Sequence, residues 1–400
     1  MRAQFLNRSA PPHIATLILI TGLAALTMNI FLPSLPGMAR AFGVDYSVMQ
    51  LSVSAYLGVS AALQLVIGPI SDRYGRRPVV LAALGMFLLA TLGTLLAPSA
   101  GWFLAFRMLQ AVIAGGMVLS RAIVRDMVPG EEAVSMIGYV TMGMSLVPMI
   151  GPIIGGALDE AFGWRANFAL LGVLGVAVMV LVFHDLGETG ARREGGFAAQ
   201  AKHYPALLSS QRFWGYCLAS TLSSGAFFAY LGGAPFVGGE IFHLSPATVG
   251  YFFAAPGIGY ALGNFASARW SVKLGMDRMV FLGTTLASLA LTTALLFDLA
   301  GLVHPGVFFA SVGLMALGNG MTLPNTNVGM MSVRPELAGT ASGLGGAMAI
   351  GGGAALSALA GVVLVPGSGA APLLVLMLVS SLGSIVAIRW VIARRVRLGL

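Results

Sequence analysis

The sequence predicts an all-α integral membrane protein: twelve transmembrane helices arranged as two pseudo-symmetric six-helix halves. Three observations carry that expectation. Hydrophobic residues make up 57% of the 400 residues and charged ones only 9%, against about 25% charged in soluble domains. A deficit that large cannot be spread over a water-facing surface, so a soluble protein is excluded. Runs of roughly 20 mostly apolar residues, the length that crosses a bilayer, recur along the whole chain. The basic residues then fall on alternate sides of those runs in a way that fixes one topology.

Taken in order, the spans fall near residues 14–36, 47–70, 78–97, 101–124, 133–158 and 165–184, then 212–235, 247–268, 278–300, 304–326, 337–362 and 371–393. The first is too long for a signal-peptide core and has no obvious small-residue cleavage site, so it is expected to be retained. Lysine and arginine resist translocation and stay cytoplasmic. With the N-terminus inside, 19 of the 22 basic residues lie on that side: Arg2, Arg8, Arg73, Arg76, Arg77, Arg121, Arg125, Arg192, Arg193, Lys202, Arg212, Arg269, Lys273, Arg278, Arg334, Arg389, Arg394, Arg395 and Arg397. Arg40 and Arg165 fall outside and Arg107 within a span. Both termini are therefore expected in the cytoplasm. The net charge of +8 is explained by arginines beside anionic headgroups, and no nucleic-acid partner is expected. The single Cys217 allows no intramolecular disulfide and offers no metal cluster. No metal or cofactor is expected.

The longest hydrophilic stretch, Asp185 to Gln211, splits the spans six and six. It sets domains at 1–184 and 212–400 with a cytoplasmic linker at 185–211. The halves echo each other at an offset of 200. Gly75-Arg76-Arg77 aligns with Gly275-Met276-Asp277, Arg73 with Lys273, and Gly151-Pro152 with Gly351-Gly352. Two such halves point to a transporter that rocks about a central site.

Between spans two and three lies Gly68-Pro69-Ile70-Ser71-Asp72-Arg73-Tyr74-Gly75-Arg76-Arg77, a tight charged turn suited to a short cytoplasmic connection. It resembles the loop signature of the major facilitator superfamily, G-x-L-a-D-R-x-G-R-R/K, with Ile70 for Leu and an eroded second-half copy at Val272. The resemblance implies that Gly68 lets span two press on span eleven. It also implies that Asp72 caps helix eleven, with Arg73, Arg76 and the Arg125/Asp126 pair completing a latch. An acid does favour the positive end of a helix; the alternative is that these charges only hold the loop inside.

In span five, Gly138 and then Gly151-Pro152-Ile153-Ile154-Gly155-Gly156 resemble the superfamily's exporter signature, G-x8-G-x3-G-P-x2-G-G, with Val147 for the second glycine. Gly and Pro together permit a kink and close helix approach, which packing alone would also demand. Asn29-Ile30-Phe31-Leu32-Pro33-Ser34-Leu35-Pro36 is similar to D-M-Y-L-P-A-x-P of the bicyclomycin and chloramphenicol resistance (Bcr/CflA) group of drug:proton antiporters. Arg121 to Asp126 resembles that group's fourth-span exit, and Leu104 to Gly116 its L-x-x-R-x-x-Q-G, with Ala111 for the glycine. The resemblance implies a monomeric multidrug exporter of the bacterial inner membrane. It would exchange small amphipathic molecules for protons across the lipid bilayer.

The group's span-one acid is here Asn29. Arg107 and Asn29 lie at similar depth, about five residues from the outer ends of their spans at 1.5 Å per residue, and are expected to face one another. The alternative for Arg107 is snorkelling outward beside Trp102. Asn29 does not titrate, and none of the 14 acids lies mid-span. Coupling through an end-placed acid such as Asp126, no coupling, and direct pairing of Arg107 with an anionic substrate therefore all stand open.

Cavity candidates are Tyr56, Gln64 and Gln110 in the first half, and Tyr230, Tyr251, Tyr260, Asn264, Asn319, Asn325 and Asn327 in the second. Tyr230 and Asn319 are preferred because their spans are pseudo-equivalent to those of Asn29 and Arg107. The Gly339–Gly353 run lacks the Lys-Ser/Thr and the preceding strand of a phosphate loop, and close helix packing explains it; the Gly318/Gly320 pair is equally weak as a nucleotide signal. A metabolite importer or facilitator is the runner-up function. An integral-membrane enzyme would need a cluster of His, Cys or acids that the sequence does not show, and no soluble signalling domain supports a sensor.

Overall fold

A computed structural model describes residues 6–8, 11–128, 130–190, 204–302, 304–334 and 337–397. Arg2, Arg192, Arg193 and Lys202 lie outside the described residues, as do the middle of the linker and the surroundings of Gly138. The described residues are predominantly helical and include no strand. Among the described residues, nine long helices are apolar enough to cross a membrane: α1 Ile14–Phe42, α2 Tyr46–Tyr74, α3 Arg76–Leu95, α4 Ala100–Met127, α6 Arg165–Asp185, α9 Met276–Leu299, α10 Pro305–Val333, α11 Gly339–Val363 and α12 Ala371–Arg397. Three further helices complete the expected twelve: α5 Gly130–Phe162, α7 Gln211–Phe236, and α8, which runs Pro246–Phe252 and then Ala254–Leu274. A short helix, Tyr204–Leu208, leads into α7.

Both described ends lie on one face of the bundle, here the terminal face; the other is the distal face. Helices α3, α6, α9 and α12 are peripheral and show bare apolar side chains such as Leu89, Val173, Leu289 and Val386, as lipid contact requires. The two halves repeat a diagnostic backbone geometry. Gly75 (φ 99°, ψ 151°) and Gly275 (φ 84°, ψ 148°) join α2 to α3 and α8 to α9, in a region essentially reserved for glycine.

The halves meet α5 against α8 and α2 against α11. A Cβ at Gly155 would overlap the Ile30 carbonyl, one at Gly156 the Pro246 carbonyl, and one at Gly250 the Pro152 carbonyl. The glycines of α5 are thus spent on backbone-to-backbone approach, both within the first half and across to the second. Among the described residues, three polar links join the halves at the distal end. The Tyr46 hydroxyl donates to Gly232 O at 2.6 Å, Gln50 Nε2 donates to Ser357 O at 2.5 Å and Oγ at 2.9 Å, and Arg40 pairs with Glu240. Toward the terminal face the approach loosens. A Cβ at Gly351 would stand 3.9 Å from Ala61, while one at Gly68, Gly343 or Gly346 would meet nothing within 4 Å. The halves are therefore closed at the distal end and part toward the terminal face.

The linker is docked where it leaves α6. Asp185 is fully buried and accepts from Leu6 N (2.7 Å), His13 N (2.9 Å) and Thr16 Oγ1 (2.6 Å). A residue expected in a hydrophilic connection instead caps the start of α1, where the helix dipole favours a carboxylate.

Candidate functional site: a central cavity beside a buried arginine

A cavity of about 310 Å³ lies between the halves. Its walls come from α1, α2, α4 and α5 of the first half and α7, α8, α10 and α11 of the second. Aromatic and aliphatic groups dominate, among them Phe227, Phe228, Phe253 and Met117, with Asn29, Tyr56, Ser60, Gln64, Ser224, Tyr260 and Asn319 as the polar contributors. No Asp, Glu, Lys, Arg or His lines it among the described residues.

The local structure follows from the sequence of α1. Pro33 has no N–H to donate to the Asn29 carbonyl and its ring crowds that carbonyl. The helix accordingly stops at Asn29, passes through the 3-10 turn Leu32–Ser34 and resumes as Leu35–Phe42. The break frees carbonyls, and Arg107 takes one of them. Its Nη2 donates to Thr27 O at 2.9 Å, its Nε to Ser52 O on α2 at 3.2 Å, and its Nη1 to Gln110 Oε1 at 2.9 Å. The guanidinium lies 4.1 Å from the Tyr56 ring centroid and 4.4 Å from that of Phe31. It is 0% exposed, so it does not snorkel. A charge at a helix centre costs about 2.5–3.5 kcal/mol on insertion scales. Two charge-assisted hydrogen bonds at roughly 1.5–3 kcal/mol each offset that, without a carboxylate. Indeed no acid pairs with Arg107 among the described residues.

Asn29 lines the cavity, but its Nδ2 donates back to Ala25 O at 2.7 Å rather than engaging Arg107. The arginine instead grips α1 on either side of it, at Thr27 and Phe31. Gln110 is not a wall residue: it is fully buried, and its Nε2 donates to Thr91 Oγ1 at 2.8 Å, so it orients the guanidinium from behind. Tyr56 forms the partition between arginine and cavity. Its hydroxyl lies beside that of Ser60, one turn on, and neither bonds any other group among the described residues.

The pair expected in the second half is not brought together. Asn319 faces the cavity, accepting from Ser223 Oγ at 2.7 Å and donating to Ser223 O at 3.1 Å. Tyr230 is fully buried among Phe253, Phe227 and Phe309, behind the wall. Tyr251 is 63% exposed, and Asn325 joins α10 to Ser267 of α8. Asn264 bonds back to Tyr260 O at 2.9 Å.

The expected latch is assembled within the first half. Arg76 pairs with Asp72 at 2.6 Å and Asp126 at 3.0 Å and contacts Ser71 Oγ. Arg73 lies over the Tyr74 ring, and Arg125 Nε reaches back to Arg121 O. Gly68 does not touch α11, and Asp72 bonds Arg76 rather than capping that helix, because the halves are parted at this end. Glu188, which sequence reasoning missed, caps α3 instead, accepting from Arg76 N (2.7 Å) and Arg77 N (3.3 Å). Arg40 and Glu240 were also missed, although opposite charges exactly one repeat offset apart were a readable signal. Gln50 had no such signal.

The sequence model of the Major Facilitator Superfamily matches residues 17–358 and 234–397. The chain is 30% identical over 347 residues to the uncharacterized MFS-type transporter YdgK of Bacillus subtilis (strain 168), covering 85% of this chain and 86% of that one. It is 27% identical to multidrug resistance protein D of Escherichia coli (strain K12), covering 94% and 93%. It is 36% identical to a chloramphenicol resistance protein of Pseudomonas aeruginosa over 55% of this chain and 54% of that one. Among solved structures, a bacterial homolog of the human lysosomal transporter Spinster, inward-facing and occupied, aligns with TM-score 0.72 at 16% identity, covering 95% of each chain. The peptide transporter POT aligns with TM-score 0.77 at 15% identity, covering 96% and 94%. At these identities the structural matches speak for the fold alone.

Proposed function

The chain belongs to the Major Facilitator Superfamily, and from that premise we propose that it is a drug exporter acting on small amphipathic compounds by alternating access. The observation that carries this is the central cavity: aromatic, uncharged, and walled by both halves. Such a wall suits recognition by shape and apolar contact. The likeness to multidrug and chloramphenicol resistance proteins supports the same reading, as do the α5 glycines at the contact between halves.

Residues 1–184 and 212–400 would rock as two bodies about the 185–211 linker. The arginine-rich terminal face would be cytoplasmic in a bacterial inner membrane, so that the described state opens inward. The proton gradient is the proposed energy source, and the monomer the working unit.

The test is a drug-susceptibility panel in a host lacking its own efflux pumps, followed by transport in vesicles with and without a proton gradient. Expression should raise resistance to some lipophilic compounds and lower their accumulation. Collapsing the gradient should abolish uptake into inverted vesicles. Increased cellular accumulation on expression would reverse the proposed direction.

A further inference from the structure

We propose that this cavity selects uncharged or anionic amphipathic compounds and rejects lipophilic cations, a specificity that rests on the exporter reading of the same site. Three observations on different elements point the same way. No wall residue carries a negative charge among those described, so nothing offers a cation a partner in exchange for its hydration. Among the described residues, the charge packed against the wall is positive: Arg107 lies fully buried behind Tyr56, 4.1 Å from the centroid of a ring that forms the wall. That charge is also not neutralised. Its three hydrogen bonds go to the carbonyls of Thr27 and Ser52 and the amide oxygen of Gln110, which orient it but leave its monopole in place. Dipoles fall off with distance faster than a charge does.

The consequence is a field inside the cavity. A ligand charge one ring's thickness beyond the wall lies roughly 8 Å from the guanidinium. At that distance and an effective dielectric of about 20, the interaction corresponds to roughly thirtyfold in affinity, against a cation and in favour of an anion. Uncharged ligands are untouched by this effect and are held by the aromatic wall. Arg107 lies over one face of the Tyr56 ring, so a ligand cation on the other face meets the arginine's repulsion across the ring, which opposes the attraction of the ring quadrupole. The hydroxyls of Tyr56 and Ser60, which bond no other group among the described residues, add donors suited to a carbonyl, nitro or phenolate oxygen. Asn29 is a wall residue on the α1 segment that Arg107 grips at Thr27 and Phe31, and Asn29→Asp would add a carboxylate to that wall without changing side-chain volume.

Size-matched probes of opposite charge make the test. Binding of tetraphenylphosphonium, tetraphenylborate and the neutral triphenylphosphine oxide to the purified full-length protein in detergent is measured by calorimetry, with empty micelles as the blank. Tetraphenylborate and triphenylphosphine oxide should each bind at least tenfold more tightly than tetraphenylphosphonium. Asn29→Asp should raise tetraphenylphosphonium affinity and weaken tetraphenylborate. Arg107→Gln, where it folds, should erase the ranking. Tetraphenylphosphonium binding as tightly as the other two to the wild-type protein overturns the proposal, and so does an Asn29→Asp protein with an unchanged ranking. A ranking that holds while vesicles transport none of the three would instead count against the exporter reading and leave the charge selectivity standing.

Discussion

Arg107 is positioned by three acceptors on three separate segments: Thr27 O at the break in α1, Ser52 O on α2 and Gln110 one turn along α4. A planar guanidinium serves all three while stacking on Phe31 and Tyr56; a lysine ammonium has neither the reach nor the flat face. Arg107→Lys should therefore keep the charge yet lose the geometry. Transport in vesicles is expected to fall at least about tenfold, the equivalent of one lost charge-assisted hydrogen bond, while the protein stays folded by size-exclusion and thermal melt. Full transport by Arg107→Lys would mean that charge alone matters. Asn29 poses the complementary question. A carboxylate there titrates where the amide does not, so Asn29→Asp should give transport a pH dependence that the parent lacks in the same range. Identical profiles in reconstituted vesicles would remove Asn29 from any coupling role.

The connections at Gly75 and Gly275 share one backbone conformation but not one environment. A Cβ at Gly75 would collide with the Glu188 carboxylate, whereas one at Gly275 would meet nothing within 4 Å. Both alanine variants incur the strain of a glycine-only region, of order 1–3 kcal/mol. Gly75→Ala also disturbs the cap that Glu188 places on α3, a further ~1 kcal/mol. Thermal melts in detergent should thus rank wild type above Gly275→Ala above Gly75→Ala, and equal melting temperatures for the two variants would discount the cap. The same capping ties the linker's first residues to the first half. Asp185 fixes the start of α1 and Glu188 the start of α3, so freedom between the halves begins only beyond them.

Across the whole molecule, the contacts between halves are concentrated at the distal end. The Arg40–Glu240 pair is solvent-exposed, at 69% and 42% of the side chains, and such pairs contribute only about 0–1 kcal/mol. It marks proximity more than it locks the state; the glycine-to-carbonyl packing of α5 on α8 and the buried Gln50 link carry the closure. If the halves alternate, the distal end must open during each cycle. A protein with Arg40→Cys and Glu240→Cys joined by a short bis-thiol reagent should lose transport and regain it when the link is cleaved. The native Cys217 is buried and should not compete. Undiminished transport by fully cross-linked protein would show that distal opening is unnecessary.

By itself the sequence determined the class, the number of helices and the internal repeat. These rest on composition, on apolar run length and on the backbone demands of Gly75 and Gly275, all local along the chain or repeated at fixed offset. It also marked Arg107, since an arginine in an apolar span must find an interior partner or reach the surface. Which partners it found was a tertiary decision. The carbonyls of Thr27 and Ser52 carry no side-chain signal, so the Asn29–Arg107 pairing read from equal depth gave way to a grip on the broken α1. Equal depth also says nothing about rotation, which set Asn319 on the cavity wall and Tyr230 behind it. The latch residues were legible as a motif, but their partners depended on how far the halves stand apart, and Gly68 found none on α11 in this state. Only the assembled helices set Arg107 one ring behind a wall that carries no acid among the described residues, because a cavity's field is the sum over side chains distant in sequence.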